Sequence, residues 1–352
     1  MEPYKHIPVL LNESITGLNI KSDGIYVDCT MGGAGHASEI LKRLSPNGHL
    51  YCFDQDDYAI NRGNLVLKTI NSNYTIIRSN FVNIKDELNK LGVTKVDGIL
   101  YDLGVSSFQF DIGDRGFSYN KEAVLDMRMD SNQYLKAFDI VNYYTFDELK
   151  KIFYTYGEEK FSASIAKKIV QERAKKPIET TLELVDVIKM GMPAYAKSKQ
   201  GHPAKKVFQA LRIAVNDELN VFEKSLKESL KLLNSEGRIV VITFHSLEDR
   251  ICNQVFRDVV EVKIPKGLPI KEKEIVRNFK LINNKVITAS DNELIINNRA
   301  HSAKLRIIEK LWGGKLWVIL DLYQNQLVLD LVNSKKFNET SKENFRSFLF
   351  IK

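Results

Sequence analysis

Short apolar runs alternate with amphipathic stretches over the first third of the chain. Helical stretches such as ASEILKRL, in which Ile40, Leu41 and Leu44 share one helix face, separate four runs with the composition of buried strands: IYVDCT (25–30), HLYCFD (49–54), YTIIRSNF (74–81) and VDGILYDLGVSS (96–107). Continuous apolar strands that alternate with helices are typical of a parallel sheet covered on both faces. The pattern therefore predicts an α/β fold.

The alternation stops after Ser107 and resumes only near the end of the chain. Residues 108–205 have mainly helical patterns: FDELKKIFYTYG (146–157), FSASIAKKIVQERAKK (161–176) and TLELVDVIKMGM (181–192). Strand patterns return at GRIVVITF (237–244) and KLRIIEKL (304–311). This order predicts a sheet domain built from residues 1–107 and 206–311, with an all-helical insert at 108–205. Residues 312–352 follow as a C-terminal extension, which we expect to be dispensable for activity.

A glycine-rich segment, DCTMGGAGH (28–36), lies where the first strand should turn into the first helix. Glycines there let the backbone pass close to a ligand, although they also serve ordinary tight turns. Asp54 ends the second strand 19 residues after Gly35, close to the ~20 expected for a carboxylate that binds ribose hydroxyls. The loop contains no Lys or Arg for phosphates, and Asp28 precedes it. A cationic nucleoside without phosphates, such as S-adenosylmethionine, fits these charges better than NAD or ATP.

Asp102 ends the fourth strand, so it should face the same crevice at the carboxyl edge of the sheet. Its carboxylate could accept hydrogen bonds from an amino group of a cofactor or of a substrate base; a buried Asp without any ligand is the alternative. His245, directly after the fifth predicted strand, lies near this crevice by topology. No spacing of His with Asp or Cys suggests a metal centre.

Eight segments resemble, in order, the motifs of the bacterial ribosomal RNA small subunit methyltransferase H family. They are HIPVLL (6–11), DCTMGGAGH (28–36), YDLGVSS (101–107), LDMRMD (125–130), TYGEEKF (155–161), HPAKKVFQALRIAVNDEL (202–219), FHSLEDR (244–250) and RAHSAKLR (299–306). Ala37, Asn298 and His301 depart from the residues that are frequent in the family. The resemblance implies a class I methyltransferase fold, a Rossmann-like sheet that binds S-adenosylmethionine and carries an inserted all-helical domain. It also implies cofactor contacts from Ala34, Gly35, His36, Asp54, Phe81, Asp102 and Gln109.

The reaction implied by the resemblance is methylation of a cytidine at N4, in the decoding region of 16S ribosomal RNA. Direct displacement at an exocyclic amine needs no covalent intermediate, so a cysteine nucleophile is not required. Asp102 is the candidate catalytic residue. The sequence after it, Leu-Gly-Val, lacks the aromatic ring that DNA amino methyltransferases stack on a flipped base. Candidates for that ring are Phe108, Phe110, Phe117 and Tyr119, each of which could instead be a core aromatic.

Basic residues are concentrated in part of the chain. The net charge of +7 includes a segment, residues 187–216, with six basic side chains and no acid. Such segments suit phosphate contact, whereas solvated helix faces usually mix both charges. The candidate RNA contacts are Lys197, Lys199, Lys205, Lys206 and Arg212. The expected partner is 16S ribosomal RNA within the small subunit or its precursor.

The remaining composition favours a cytoplasmic protein with no membrane partner. Cys29, Cys52 and Cys252 have no CxxC spacing, and no apolar run reaches the ~18 residues of a membrane span. Two other classes stay open from the sequence: a non-catalytic RNA-binding or assembly protein that retains the cofactor fold, and a nicotinamide oxidoreductase. The oligomeric state cannot be predicted from the sequence.

Overall fold

A single mixed sheet organises the chain. The structure is a computed structural model that describes residues 8–104, 115–197, 202–261 and 277–312. The sheet has seven strands: β1 (Ile25–Asp28), β2 (His49–Asp54), β3 (Tyr74–Arg78), β4 (Val96–Asp102), β5 (Leu233–Thr243), β6 (Phe279–Leu281) and β7 (Lys304–Lys310). Their order is β3-β2-β1-β4-β5-β7-β6. The first five strands in that order are parallel, and β7 is antiparallel to both neighbours. This is the class I methyltransferase arrangement, so the predicted fold class is confirmed.

The described helices fall into two groups, those that cover the sheet and those that form a separate cluster. In chain order they are α1 (Leu11–Leu18), α2 (Gly35–Leu41), α3 (Asp57–Leu67), α4 (Ile84–Lys90), α5 (Ala137–Tyr143), α6 (Phe146–Gly157), α7 (Ser162–Arg173), α8 (Thr181–Gly191), α9 (Ala194–Lys197), α10 (Lys205–Asn216), α11 (Glu218–Leu232), α12 (Ser246–Val260) and α13 (Asp291–Ile296). Helices α4, α11 and α12 supply apolar residues to the core on one sheet face, and α1 and α2 to the core on the other. Because both faces are covered, the central strands are almost entirely apolar.

Helices α5 to α8 and helix α10 share a third core, which runs from Phe117 to Val215. Its predicted helices have clear start signals: Thr145 with Glu148 and Thr180 with Glu183 form capping boxes at α6 and α8. Helix α6 spans the predicted 146–157. Helix α10 packs mainly on α6, although the sequence assigned residues from 206 onward to the sheet domain. The division into a sheet domain of residues 1–107 and 206–311 and an insert of residues 108–205 stays a prediction.

The helical cluster contacts the sheet domain through polar side chains. Glu158, after α6, accepts hydrogen bonds from Ser246 (2.8 Å) and Arg250 (3.1 Å) at the start of α12. Glu158 has a left-handed backbone with φ of 47°, which turns the chain sharply at this contact. The cluster is thereby held over the carboxyl edge of the sheet. Among the helices of the described ranges, none is long and apolar enough to cross a membrane.

Candidate active site

A cavity of about 790 Å³ lies between the carboxyl edge of the sheet and the helical cluster. Its sheet half is lined by residues 29–33, 35–36, 53–55, 79–81 and 102–104, and its helical half by Phe117, Tyr119, Met129, Lys205, Phe208, Gln209 and Arg212. Pro8, Val9, Phe244, His245 and residues 298, 299, 301 and 302 complete the wall. The strand order reverses between β1 and β4 above this cavity, which is where open α/β sheets bind ligands.

The glycine-rich loop bends tightly where it lines the sheet half of the cavity. Gly32 and Ala34 both have left-handed backbones, with φ of 48° and 61°. A Cβ atom on Gly35 would lie 2.3 Å from Cγ of Pro8, so the close approach of these two segments requires glycine. Gly35 and His36, two of the predicted cofactor contacts, line the cavity, whereas Ala34 is fully buried and is not among the lining residues. Gln109, the last predicted contact, lies outside the described residues.

Asp54 is held in place by two backbone donors. Its Oδ2 accepts a hydrogen bond from the amide of Gly32 (2.9 Å), and its Oδ1 accepts one from the amide of Asp56 (2.9 Å). Burial raises the pKa of Asp54 to about 6, and these amides work against that rise. Phe81, in the turn after β3, also lines the cavity. A carboxylate fixed in this way at the end of β2 can accept hydrogen bonds from ribose hydroxyls.

Asp102 has one engaged and one unengaged carboxyl oxygen. Its Oδ2 lies 3.5 Å from Nδ1 of His36, whose Nε2 is 3.1 Å from the carbonyl oxygen of Val9. Its Oδ1 is buried and makes no hydrogen bond within the described residues. Burial, with added repulsion from Asp28 and Glu248, raises the pKa of Asp102 to about 8. A buried acceptor without a partner is costly, so this oxygen calls for a donor from a ligand.

Asp28, near Asp102, also has one paired and one unpaired carboxyl oxygen. Its Oδ1 accepts a hydrogen bond from the amide of Thr30 (3.0 Å), while its Oδ2 is buried without a partner in the described ranges. Burial raises its pKa to about 7. Asp28 is not among the residues that line the cavity, so a cationic ligand there would act on Asp102. It would favour the ionised carboxyl and supply the donor that Oδ1 lacks. The residues of the sheet half therefore fit S-adenosylmethionine.

The helical half presents aromatic rings. Tyr119 stacks on His202 with centroids 4.4 Å apart and meets Phe208 edge to face. Phe117 also lines the cavity, but it is only 4% exposed and belongs to the helical core. Tyr119 is thus the better placed of the predicted stacking candidates; Phe108 and Phe110 lie outside the described residues.

A buried polar network borders the same half. Arg212 forms a two-pronged ion pair with Glu218 (2.8 and 2.9 Å), and the side chains are only 13% and 11% exposed. Burial acts to raise the pKa of Glu248, but contacts with His245 and the charge of Arg212 bring it below its usual value. Glu248 accepts a hydrogen bond from the amide of Phe244 (2.8 Å) and thereby fixes the turn that carries His245. The sequence predicts Arg212 as an RNA contact. It does not predict Glu218, the acidic side chain that pairs with this guanidinium.

The other predicted RNA contacts differ in what surrounds them. Lys205 is exposed and lines the cavity. Lys206 is exposed and donates a hydrogen bond to the carbonyl oxygen of Glu158 (2.9 Å). Lys197 ends α9, but its side chain and all of Lys199 lie outside the described part of the chain. Of these predicted RNA contacts, Lys205 lines the cavity with an exposed side chain, whereas Arg212, which also lines it, is paired with Glu218.

Cysteine and metal chemistry have no support at this site. Cys29, Cys52 and Cys252 are buried, and burial raises the pKa of each thiol, so none is poised as a thiolate. Within residues 8–104, 115–197, 202–261 and 277–312, no group of three His, Cys, Asp or Glu side chains could hold a metal ion.

Fold and cavity together define a class I methyltransferase. The profile of the MraW methylase family matches residues 3–311, and the chain belongs to this family. Membership of a methylase family with this fold confirms S-adenosylmethionine as its cofactor.

Two relatives are similar over most of the chain. A protein of Exiguobacterium sibiricum, named ribosomal RNA small subunit methyltransferase H, is 55% identical over 309 residues, covering 88% of this chain and 99% of its own. A protein of the same name from Streptococcus dysgalactiae subsp. equisimilis is 53% identical over 310 residues, covering 88% and 98%. A solved rRNA methylase structure from Streptococcus thermophilus is similar at 13% identity with a TM-score of 0.37, covering 86% of this chain and 93% of its own.

Proposed function

We propose that this protein transfers a methyl group from S-adenosylmethionine to N4 of a cytidine in the decoding region of 16S ribosomal RNA. The observation that carries the proposal is Asp102: a cavity-lining carboxyl with one unpaired, buried oxygen, at the switch point of the sheet and opposite the aromatic half. The names of the two relatives support ribosomal RNA as the substrate class. We place the reaction in the cytoplasm, on the small subunit or its precursor.

In this proposal the sheet half holds the cofactor. Asp54 accepts hydrogen bonds from the ribose, and Gly35, His36 and Phe81 form the surrounding wall. Ala34 shapes the loop through its left-handed backbone, and Gln109 completes the predicted set. S-adenosylmethionine, when bound, supplies an electrophilic methyl group on a sulfonium.

Asp102 acts on the substrate amine. As the bond from N4 to the methyl carbon forms and the bond from carbon to sulfur breaks, N4 must lose one proton. Asp102, once ionised beside a cation, accepts a hydrogen bond from the amine, orients it and can take that proton. His36 fixes the carboxyl through its contact with Oδ2, and Val9 fixes the His36 ring in turn.

The helical half receives the RNA. Tyr119 offers a ring face for stacking of a base, while Lys205 and Lys206, with Lys197 and Lys199, neutralise phosphates. Arg212 contributes differently from these lysines, because its guanidinium is already paired with Glu218. Its place in this proposal is to hold the wall of the cavity.

The test is methyl transfer from labelled S-adenosylmethionine to small subunits isolated from cells that lack the gene, followed by nucleoside analysis. We expect the label in N4-methylcytidine at a single position of the decoding region. Label on another atom, on another RNA, or absent altogether would contradict the proposal.

Two variants separate catalysis from a purely structural role on the ribosome. Asp54→Ala should abolish methyl transfer, whereas Asp57→Ala, which removes an exposed carboxylate three positions later, should not. If subunit assembly in cells needs the protein but is unaffected by Asp54→Ala, while no methyl transfer is detected with the unaltered protein, the non-catalytic alternative is correct.

A further inference from the structure

Arg115 bridges the two halves of the cavity. Its guanidinium forms an ion pair with Asp56, which follows β2 in the sheet domain, while Arg115 itself opens the described segment that leads into the helical cluster. The two side chains are 25% and 9% exposed, so the pair is largely shielded from water. Nothing in the reaction described above uses this contact.

On the sheet side, Arg115 is linked through Asp56 to Asp54, the predicted acceptor for the ribose hydroxyls. The amide of Asp56 donates to Oδ1 of Asp54 (2.9 Å), and Oδ1 of Asp56 accepts from the amide of Tyr58 (3.0 Å) at the start of α3. Asp56 therefore takes part in the turn that positions Asp54. A change in the position or charge of Asp54 is transmitted to Asp56 through one hydrogen bond.

On the other side, the bridge reaches the wall of the helical half. Nη2 of Arg115 donates to the carbonyl oxygens of Arg128 (2.6 Å) and Met129 (2.9 Å), and its guanidinium lies 5.9 Å from the ring centre of Phe117. Met129 and Phe117 both line the cavity. The planar guanidinium reaches one carboxylate and two carbonyls with donors in fixed directions, whereas a lysine ammonium is a compact point charge, so lysine is not an equivalent here.

We propose that Arg115 is a positioning residue that couples cofactor binding in the sheet half to RNA binding in the helical half. Cofactor binding holds Asp54 ionised and fixed. Asp56 and Arg115 then fix Met129 and Phe117, so less conformational freedom is lost when RNA binds. The inference rests on the proposed function, because it takes RNA as the ligand of the helical half. Coupling of two binding sites is reciprocal, so RNA must tighten cofactor binding by the same factor.

The experiment measures this factor directly. Affinity of the full-length protein for small subunits from cells that lack the gene is determined with and without saturating S-adenosylhomocysteine, which occupies the site without reacting. For the unaltered protein we expect about tenfold tighter binding with the ligand, within the usual range of such couplings. In Arg115→Met the factor should fall to about one, while affinity for S-adenosylhomocysteine alone changes little.

Three further variants separate coupling from general damage. Arg78→Met removes an exposed pair with Asp57, the neighbour of Asp56, and should leave the coupling factor unchanged. Asp56→Asn keeps the backbone donor to Asp54 and should lose the coupling as Arg115→Met does. Arg115→Lys keeps a charge beside Asp56 without the fork and should give an intermediate factor, so the proposal stays testable if Arg115→Met does not fold.

The outcomes are distinct from those of the methylation test. A folded Arg115→Met or Asp56→Asn protein with an unchanged coupling factor overturns the proposal. An unaltered protein that methylates the RNA but binds it equally well with and without the ligand also overturns it, and leaves the proposed function standing. An unaltered protein that neither binds nor methylates the RNA overturns the proposed function as well.

Discussion

The two halves of the cavity differ in the sign and the burial of their charged side chains. In the sheet half two largely buried carboxyls line the cavity, and burial raises the pKa of Asp54 and Asp102 to about 6 and 8. In the helical half the groups available to a ligand are lysines at the surface, such as Lys205, beside aromatic rings. We therefore expect a cationic cofactor and a polyanionic substrate to bind at different walls of one cavity.

The difference in burial also sets how strongly each half responds to a change. Charges in a shielded site interact strongly and are little affected by salt, whereas exposed charges interact weakly and are screened. We therefore expect substitutions in the sheet half to act on chemistry and pH dependence, and those at exposed lysines to act on salt-dependent RNA binding. The following predictions test that contrast, from the largest effect to the smallest.

The largest effect is expected for Asp102→Asn. This variant keeps the shape of the side chain but removes the acceptor of the proton, so kcat should fall by about 10² to 10⁴, the usual contribution of a general base. Steady-state methyl transfer at saturating cofactor and RNA measures it. Asp258→Asn, at an exposed site on α12, is the matched control and should keep full activity. A kcat of Asp102→Asn equal to that of the unaltered protein would remove Asp102 from catalysis.

Arg212→Met should destabilise the fold more than it weakens RNA binding. It leaves Glu218 buried without its partner, and breaking a buried ion pair from one side costs about 3 kcal/mol of unfolding free energy. Denaturant unfolding measures this loss. Lys205→Met should show the reverse pattern: little change in stability, with the slope of log affinity against log salt reduced by about 0.7 to 0.9. Equal stability of both variants would show that Arg212 is free to contact RNA.

Arg212 also shows where prediction from the sequence reaches its limit. Its position in a segment without acids favours a phosphate contact, because charge along the chain is all that the sequence provides. Glu218 follows six positions later, across the turn between α10 and α11, and the fold returns it to the guanidinium. The ends of parallel strands are easier to predict from the sequence. Asp54 and Asp102 lie at the same edge of the sheet, as predicted, because parallel strands bring their carboxyl ends together.

Local sequence signals predict individual helices, but they do not predict which distant strands and side chains pair. The capping residues Thr145 and Thr180 precede helices that could be predicted from periodicity. Strand β6 has only three residues and is held in the sheet by its pairing with β7. Its local sequence is too short to predict a strand. The contact between Arg115 and Asp56 spans 59 positions and two domains, and the sequence gives no reason to pair them.

The raised pKa of Asp102 predicts that cofactor binding depends on pH. In the empty protein the carboxyl is mostly protonated below about pH 8, and a cation binds the ionised form. Affinity for S-adenosylmethionine should therefore increase from pH 6 to pH 8, by at most about tenfold per unit for one released proton. The sign for stability is opposite: the folded state holds a proton that the unfolded state has lost above about pH 4, so unfolding free energy falls over this range.

Calorimetric titration of Asp102→Asn is the matched measurement for that pH dependence. The ligand titrates equally with both proteins, so the ratio of their dissociation constants isolates the contribution of Asp102. We expect a ratio that changes with pH up to about 8 and is constant above it. A ratio that does not vary with pH would show that the carboxyl is already ionised in the empty protein.

The smallest effect is expected for removal of residues 313–352. The family profile ends at residue 311, and both halves of the cavity are built from residues before 303, so the contrast between them does not involve the extension. A chain that ends at Trp312 should transfer methyl groups with unchanged kcat and keep the salt dependence of RNA binding. Deletion of α13, which precedes the 298–302 part of the cavity wall, is the contrasting control and should reduce activity. Loss of methyl transfer in a folded 1–312 protein would make the extension a third functional part of the molecule, because neither half of the cavity would then suffice.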